Sequence, residues 1–186
     1  QNFKGRIQHI TSLSLLQKEG IMGLDAFTIR NLELFQSLSS QGIHGTLVDT
    51  IDNTVTAAGS RLIKNWLRQP LTNPKKINER LDRITEFIAD ESMLKKIQTH
   101  LKETADIERI IARIASEKAS PRDVINLGMS LEKIPLLQRT IHKKKKILSQ
   151  LLTQCVDTNN IMDSILNTLK IDPPATTKKG GYIRTG

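Results

Sequence analysis

Apolar residues through the middle of the chain recur three and four positions apart, the pattern of helices that each bury one stripe. Between Ala57 and Gln69 the stripe is Leu62, Ile63, Trp66 and Leu67, with Arg61, Lys64 and Arg68 on the opposite side. Thr56 is placed to cap this helix, and Pro70 predicts its end by disfavouring helical backbone at Gln69. Gly59 in the first turn implies either close approach of another backbone or a delayed helix start. Asn73-Pro74 is a second start signal, a capping side chain followed by the residue favoured at the first helical position. It leads into Ile77, Leu81, Ile84 and Ile88. Leu94, Ile97 and Leu101 predict a shorter helix, and Ile107, Ile110, Ile111 and Ile114 another. Ser120-Pro121-Arg122-Asp123 reads as a capping box with Asp in place of the usual Glu or Gln. Val124, Leu127, Leu131 and Ile134 follow, and Pro135 is expected to bend or end that helix. Ile147, Leu148, Leu151 and Leu152 predict the next helix, and Met162, Ile165, Leu166 and Leu169 the last.

The ends differ. Thr11, Leu13 and Leu15 alternate with Ser12 and Ser14, and Gly20 and Gly23 interrupt the run, which suggests short strands. Asp172-Pro173-Pro174 breaks the last helix, and Gly180 to Arg184 reads as a turn into an edge strand, so that a small sheet joining the two ends is expected. The fold class is therefore mainly α, with a few short strands near the two termini.

Composition narrows the function. The 186 residues are enough for one domain or two small ones. Lys plus Arg exceeds Asp plus Glu by 28 to 19, a net charge of +9 that fits a nucleic-acid setting without implying sequence readout. Four Phe, one Trp and one Tyr are too few for a stacking platform that reads single strands. The single cysteine, Cys155, excludes an internal disulfide framework and suits a reducing compartment. It lies on the apolar side of its expected helix and reads as a buried structural thiol. Apolar runs stop at three residues, so no membrane span is expected. Gln1 at the start and Gly186 at the end read as the edges of a piece cut from something longer.

Catalytic signals are missing. Neither the phosphate-binding G-x-x-x-x-G-K-[ST] pattern nor G-x-G-x-x-G occurs. His9, His44, His100 and His142 are scattered without the pairing a metal needs. Pairs such as Asp49 with Asp52 and Glu103 with Asp106 suit a helix surface. The expectation is no catalytic residue, no cofactor-binding residue and no metal ligand. Basic residues are the remaining candidates. Lys143, Lys144, Lys145 and Lys146 form the densest cluster, which could neutralise phosphates, although a solvated connection is the preferred reading. Mixed charges at Glu79 to Arg83 and Asp106 to Arg113 read as solubilising pairs unless an arginine bridges two helices and latches them.

Several segments in order resemble the MutS family of DNA mismatch-repair ATPases. They begin with Met22-Gly23-Leu24-Asp25, Arg30-Asn31-Leu32-Glu33-Leu34 and Gly45-Thr46-Leu47. Thr54-Val55-Thr56, Gly59-Ser60-Arg61-Leu62, Trp66-Leu67 and Pro70-Leu71 form the most specific stretch. Ile77, Arg80-Leu81, Asp106 to Arg109, Ala112-Arg113, Ser120 to Asp123, Asp172 to Pro174 and Gly180-Gly181 complete it.

The resemblance implies an elongated multi-helix core, or lever, domain ending just before a clamp insertion. Residues 1–24 would enter from the connector, 25–171 would form the helical core, and 172–186 would lead toward the clamp. The implied role is non-catalytic: coupling a distant ATPase domain to the DNA clamp. Residues expected to serve structure or coupling are Asp25, Arg30, Asn31, Gly59, Arg61, Trp66, Arg109 and Arg113. Gly59 would allow close helix approach, Arg61 would pair or latch, and Trp66 would anchor packing. Cofactors are none in this segment, with ATP and magnesium in the parent protein. Implied partners are double-stranded mismatched DNA, a second MutS subunit and other mismatch repair proteins, in the cytoplasm or at a bacterial nucleoid. Such a piece would also expose apolar surface that the rest of the domain covers. The alternative is a free-standing basic helical module that binds DNA or proteins.

Overall fold

The computed structural model describes residues 20–142 and 146–184. The chain is mainly helical, in two regions of different character. The first, residues 20–72, is polar and loop-rich. It holds α1 (Ala26–Asn31), α2 (Leu47–Ile51) and α3 (Ala57–Arg68). Leu34 and Val48 are its buried apolar residues. Buried Thr46 caps α2 by accepting the Asp49 amide and donates its hydroxyl to the Ile43 carbonyl at 2.6 Å. Asp52 accepts the Ser60 hydroxyl at 2.5 Å, and the Arg68 guanidinium lies 4.6 Å from the Phe35 ring centre, so α3 belongs to this unit. Its ends are tied by the Met22 amide on the Pro70 carbonyl and the Thr72 amide on the Gly20 carbonyl, around an Ile21–Leu71 bridge.

The second region is a helical bundle. It comprises α4 (Pro74–Ile88), α5 (Glu91–Lys102), α6 (Ile107–Ala115), α7 (Pro121–Leu131), α8 (Lys133–His142), α9 (Lys146–Leu152) and α10 (Asn159–Thr168). The start signals act as their chemistry suggests. Thr56 accepts the Gly59 amide, Asn73 accepts the Lys75 and Lys76 amides, and Ser120 with Asp123 forms a reciprocal capping box. Two apolar clusters hold the bundle. Met93, Ile97, Ile141 and Leu148 pack with Phe87, Leu101 and Leu137, whereas Ile110, Leu127 and Leu131 pack with Ile107, Met162 and Ile165. The most extensive helix pair is α7 with α10.

Several expectations change. Pro135 does not end the helix that begins at Pro121; that helix ends at Leu131, and Pro135 falls in the first turn of α8. A missing amide costs little there, because first-turn amides have no partner within the helix. Cys155 lies past the end of α9 and is exposed, not buried. Ile183 bridges Leu169 while Ile21 bridges Leu71, so the described residues show two separate pairings and no sheet joining the ends. The strand expected over Thr11 to Leu15 lies outside the described residues.

The accessible surface is 14400 Å², against about 9000 Å² for a compact protein of this mass. The excess is more than the roughly 3800 Å² that fully extended chain would contribute over the undescribed residues. Exposed apolar side chains contribute to it. On α4, Ile77, Leu81, Ile84 and Ile88 are 36%, 52%, 46% and 68% exposed. The half-buried side of the same helix carries Arg80, Arg83, Glu86 and Phe87. The apolar stripe of α4 thus points outward.

Candidate functional site

Arg61 is where the two regions meet. Its place on the polar side of α3 aims the guanidinium at the start of α6. Nη1 and Nη2 donate to the two Asp106 oxygens at 2.8 and 2.7 Å, a bidentate fork. Nε and Nη2 donate to Glu108 Oε2 at 3.0 and 2.5 Å. Asp106 also caps α6, accepting the Arg109 amide at 3.3 Å. The bond from Arg61, followed by the Arg109 amide, holds the Asp106 carboxyl below its ordinary value. Asp106 and Glu108 in turn raise the guanidinium above its own.

A second charged link joins α6 to α7. Arg113 Nη1 lies 3.2 Å from Asp123 Oδ1, and Nη2 donates to the Lys118 carbonyl. Asp123 is held below the ordinary carboxylate range first by the Ser120 amide and hydroxyl, then by the charges of Arg113 and Arg109. Farther on, Arg122 donates to the Pro173 carbonyl at 2.9 Å and pairs with Asp172 at 3.6 Å, fixing the segment after α10 to α7. Charged contacts therefore run from α3 through α6 and α7 to residue 173.

The expected site residues divide by position. Asp25 caps α1, accepting the Thr28 amide at 2.7 Å, which lowers its carboxyl pKa. Arg30 and Asn31 are exposed on α1, and neither makes a side-chain hydrogen bond to another described residue. Arg109 is exposed on α6 between Asp106 and Asp123. Trp66 is part-exposed, with the Arg80 guanidinium 4.0 Å from its ring centre, and joins neither apolar cluster. Lys143, Lys144 and Lys145 lie outside the described residues, and Lys146 is the first residue of α9.

Gly59 does not receive a second helix. The atoms nearest a Cβ placed there belong to Thr54 and Thr56, both at 3.1 Å, at the entry to its own helix. The glycine at a helix crossing is Gly128 of α7, where a Cβ would come within 2.7 Å of Ile165 Cγ2 on α10. Sequence gave a faint sign of it, a glycine set inside the apolar period of a well-capped helix. Glu86 was also missed. Its carboxylate accepts the Ile147 and Leu148 amides at 3.2 and 2.8 Å, capping α9 from α4.

Among the described residues no group of His, Cys, Asp and Glu is arranged to hold a metal, and no helix is long and apolar enough to cross a membrane. A cavity of about 160 Å³ between the start of α8 and residues 155–159 is lined by Gln138, Cys155, Asp157 and Asn159 among others. Nothing in it resembles a catalytic constellation.

The family described as MutS domain III matches residues 27–185. Curated relatives are named DNA mismatch repair protein MutS. One from Exiguobacterium sp. (strain ATCC BAA-1283 / AT1b) is 36% identical over 98% of this chain and 22% of its own length. One from Christiangramia forsetii is 35% identical over 97% of the chain and 21% of its own length. One from Geobacillus sp. (strain WCH70) is 33% identical over 98% of the chain and 21% of its own length. The chain thus spans about a fifth of the length of the curated relatives it matches.

Proposed function

We propose, from the premise that this chain belongs to the MutS family as its domain III, that it is a non-catalytic segment of a DNA mismatch-repair protein, coupling an ATPase to a DNA clamp. The outward apolar stripe of α4 carries this reading. A helix placing isoleucines and a leucine in water while arginines face its neighbours is built for a partner outside the stretch seen here. The matched relatives are several times longer, which supplies such a partner within one polypeptide. Leu62 and Trp66 on α3 and Ile111 and Ile114 on α6 are exposed apolar residues as well.

Coupling is the finer part of the proposal. Helices linked by charged contacts from α3 to residue 173 form a body through which a displacement at one end shifts the other. ATP with magnesium, mismatched duplex DNA and a second subunit are partners proposed for the longer protein, as is a cytoplasmic location. By linkage, DNA would alter nucleotide affinity by the factor with which nucleotide alters DNA affinity.

The test compares ATPase activity with and without DNA in the full-length protein carrying Arg61→Ala or Trp66→Ala. Loss of the DNA response with basal turnover intact supports coupling. A DNA response equal to wild type in both variants removes it.

A further inference from the structure

We propose that Arg61 is the latch of a hinge at Asn73, holding the unit of residues 20–72 against the start of α6 in one of two positions. This deepens the coupling reading by naming a movable joint within it.

Four observations place the hinge. Between described residues, every hydrogen bond joining 20–72 to 74–184 is made by the Arg61 guanidinium. Neither apolar cluster contains a residue before Phe87, and no helix of the first unit packs extensively on the bundle. A further side-chain tie is Arg80 over Trp66, a face contact without the directional bonds of the Arg61 fork. The junction narrows to Asn73, which caps α4, because Pro70 to Thr72 are paired with Gly20 to Met22 in the first unit.

The latch can open because it is wet. The Arg61, Asp106 and Glu108 side chains are 43%, 20% and 73% exposed, so each is reached by water when the contact separates. A buried pair would leave uncompensated charge on opening and would act as a weld. The bidentate geometry still gives the closed position a defined angle, which an ammonium could not set. Asp106 remains on the α6 amide when Arg61 leaves, so the helix keeps its cap in both positions. Competing charge therefore shifts the unit without unfolding either side.

The test is pulsed electron-spin distance measurement on the full 186-residue chain. Labels go at Asn53→Cys and Asn167→Cys, both exposed, in a Cys155→Ser background. The latch predicts one narrow distance at low salt. Arg61→Gln, and separately Asp106→Asn with Glu108→Gln, should replace it with a broad or displaced distribution while helix content by circular dichroism stays the same. Arg61→Lys should fall between. Raising salt to 1 M, where screening acts within about 3 Å, should broaden the unaltered chain. A distribution unmoved by Arg61→Gln at unchanged helix content overturns the latch. Should that variant lose helix, the salt series decides, and an unchanged distance in high salt overturns it equally. A moving distance with an intact DNA response of the ATPase would keep the hinge and end the coupling reading.

Discussion

Helices α4 and α7 begin alike and end up in opposite surroundings. Each opens with a capping side chain and a proline, Asn73-Pro74 and Ser120-Pro121, and each repeats apolar residues at helical spacing. In α7 that pattern is satisfied at once. Ile125, Leu127 and Leu131 are buried, and Gly128 lets α10 approach closely. In α4 the stripe faces solvent, while Phe87, about a quarter of the way round the helix, and Glu86, nearly opposite, do the packing. An amphipathic period therefore reports that a helix has a partner. It does not say whether the partner lies in the same stretch of chain.

The contrast can be broken most strongly from the α7 side. Leu131→Ala should destabilise the chain by about 2–5 kcal/mol in chemical denaturation, as large-to-small changes in packed sites do. Gly128→Ala should cost about 1–3 kcal/mol, because the new methyl would overlap Ile165. On the inward side of α4, Glu86→Ala should cost about 1 kcal/mol by uncapping α9, with faster amide exchange at Ile147 and Leu148.

Acid separates the two helix starts. The Asp123 carboxyl is lowered in the folded chain, so its contribution is complete at neutral pH. It is lost as pH falls below the ordinary aspartate value of about 4 and through the folded one. Asn73 carries no charge, so amide protection at the start of α7 should fall in acid before that at the start of α4. Equal acid sensitivity at both starts would contradict this. The smallest effect belongs to the exposed stripe: Ile84→Ser should change stability by no more than about 0.5 kcal/mol in the same denaturation.

These differences mark what the sequence made legible. Helix positions and caps were readable because Thr56, Asn73, Ser120 and Asp123 act on amides within three residues of themselves. The short α1 and α2 were not read, since five or six residues carry too little periodicity. Arg61 stood out as a possible latch, but its partners lie 45 and 47 positions away, a distance no spacing rule spans. Glu86 was hidden for the same reason. Gly59 was given the role of Gly128 because both interrupt helices, and only tertiary packing tells a glycine at an entry from one at a crossing.

The central claim is that the outward faces of α3 and α4 are completed by the rest of a longer protein. Oxidative footprinting tests this directly, by comparing Trp66, Leu81 and Ile84 in the 186-residue chain and in the full-length protein, with Leu131 as the buried reference. Strong oxidation of the three in the short chain, falling toward the Leu131 level in the long one, is the predicted result. Equal oxidation of Leu81 and Ile84 in both would contradict it.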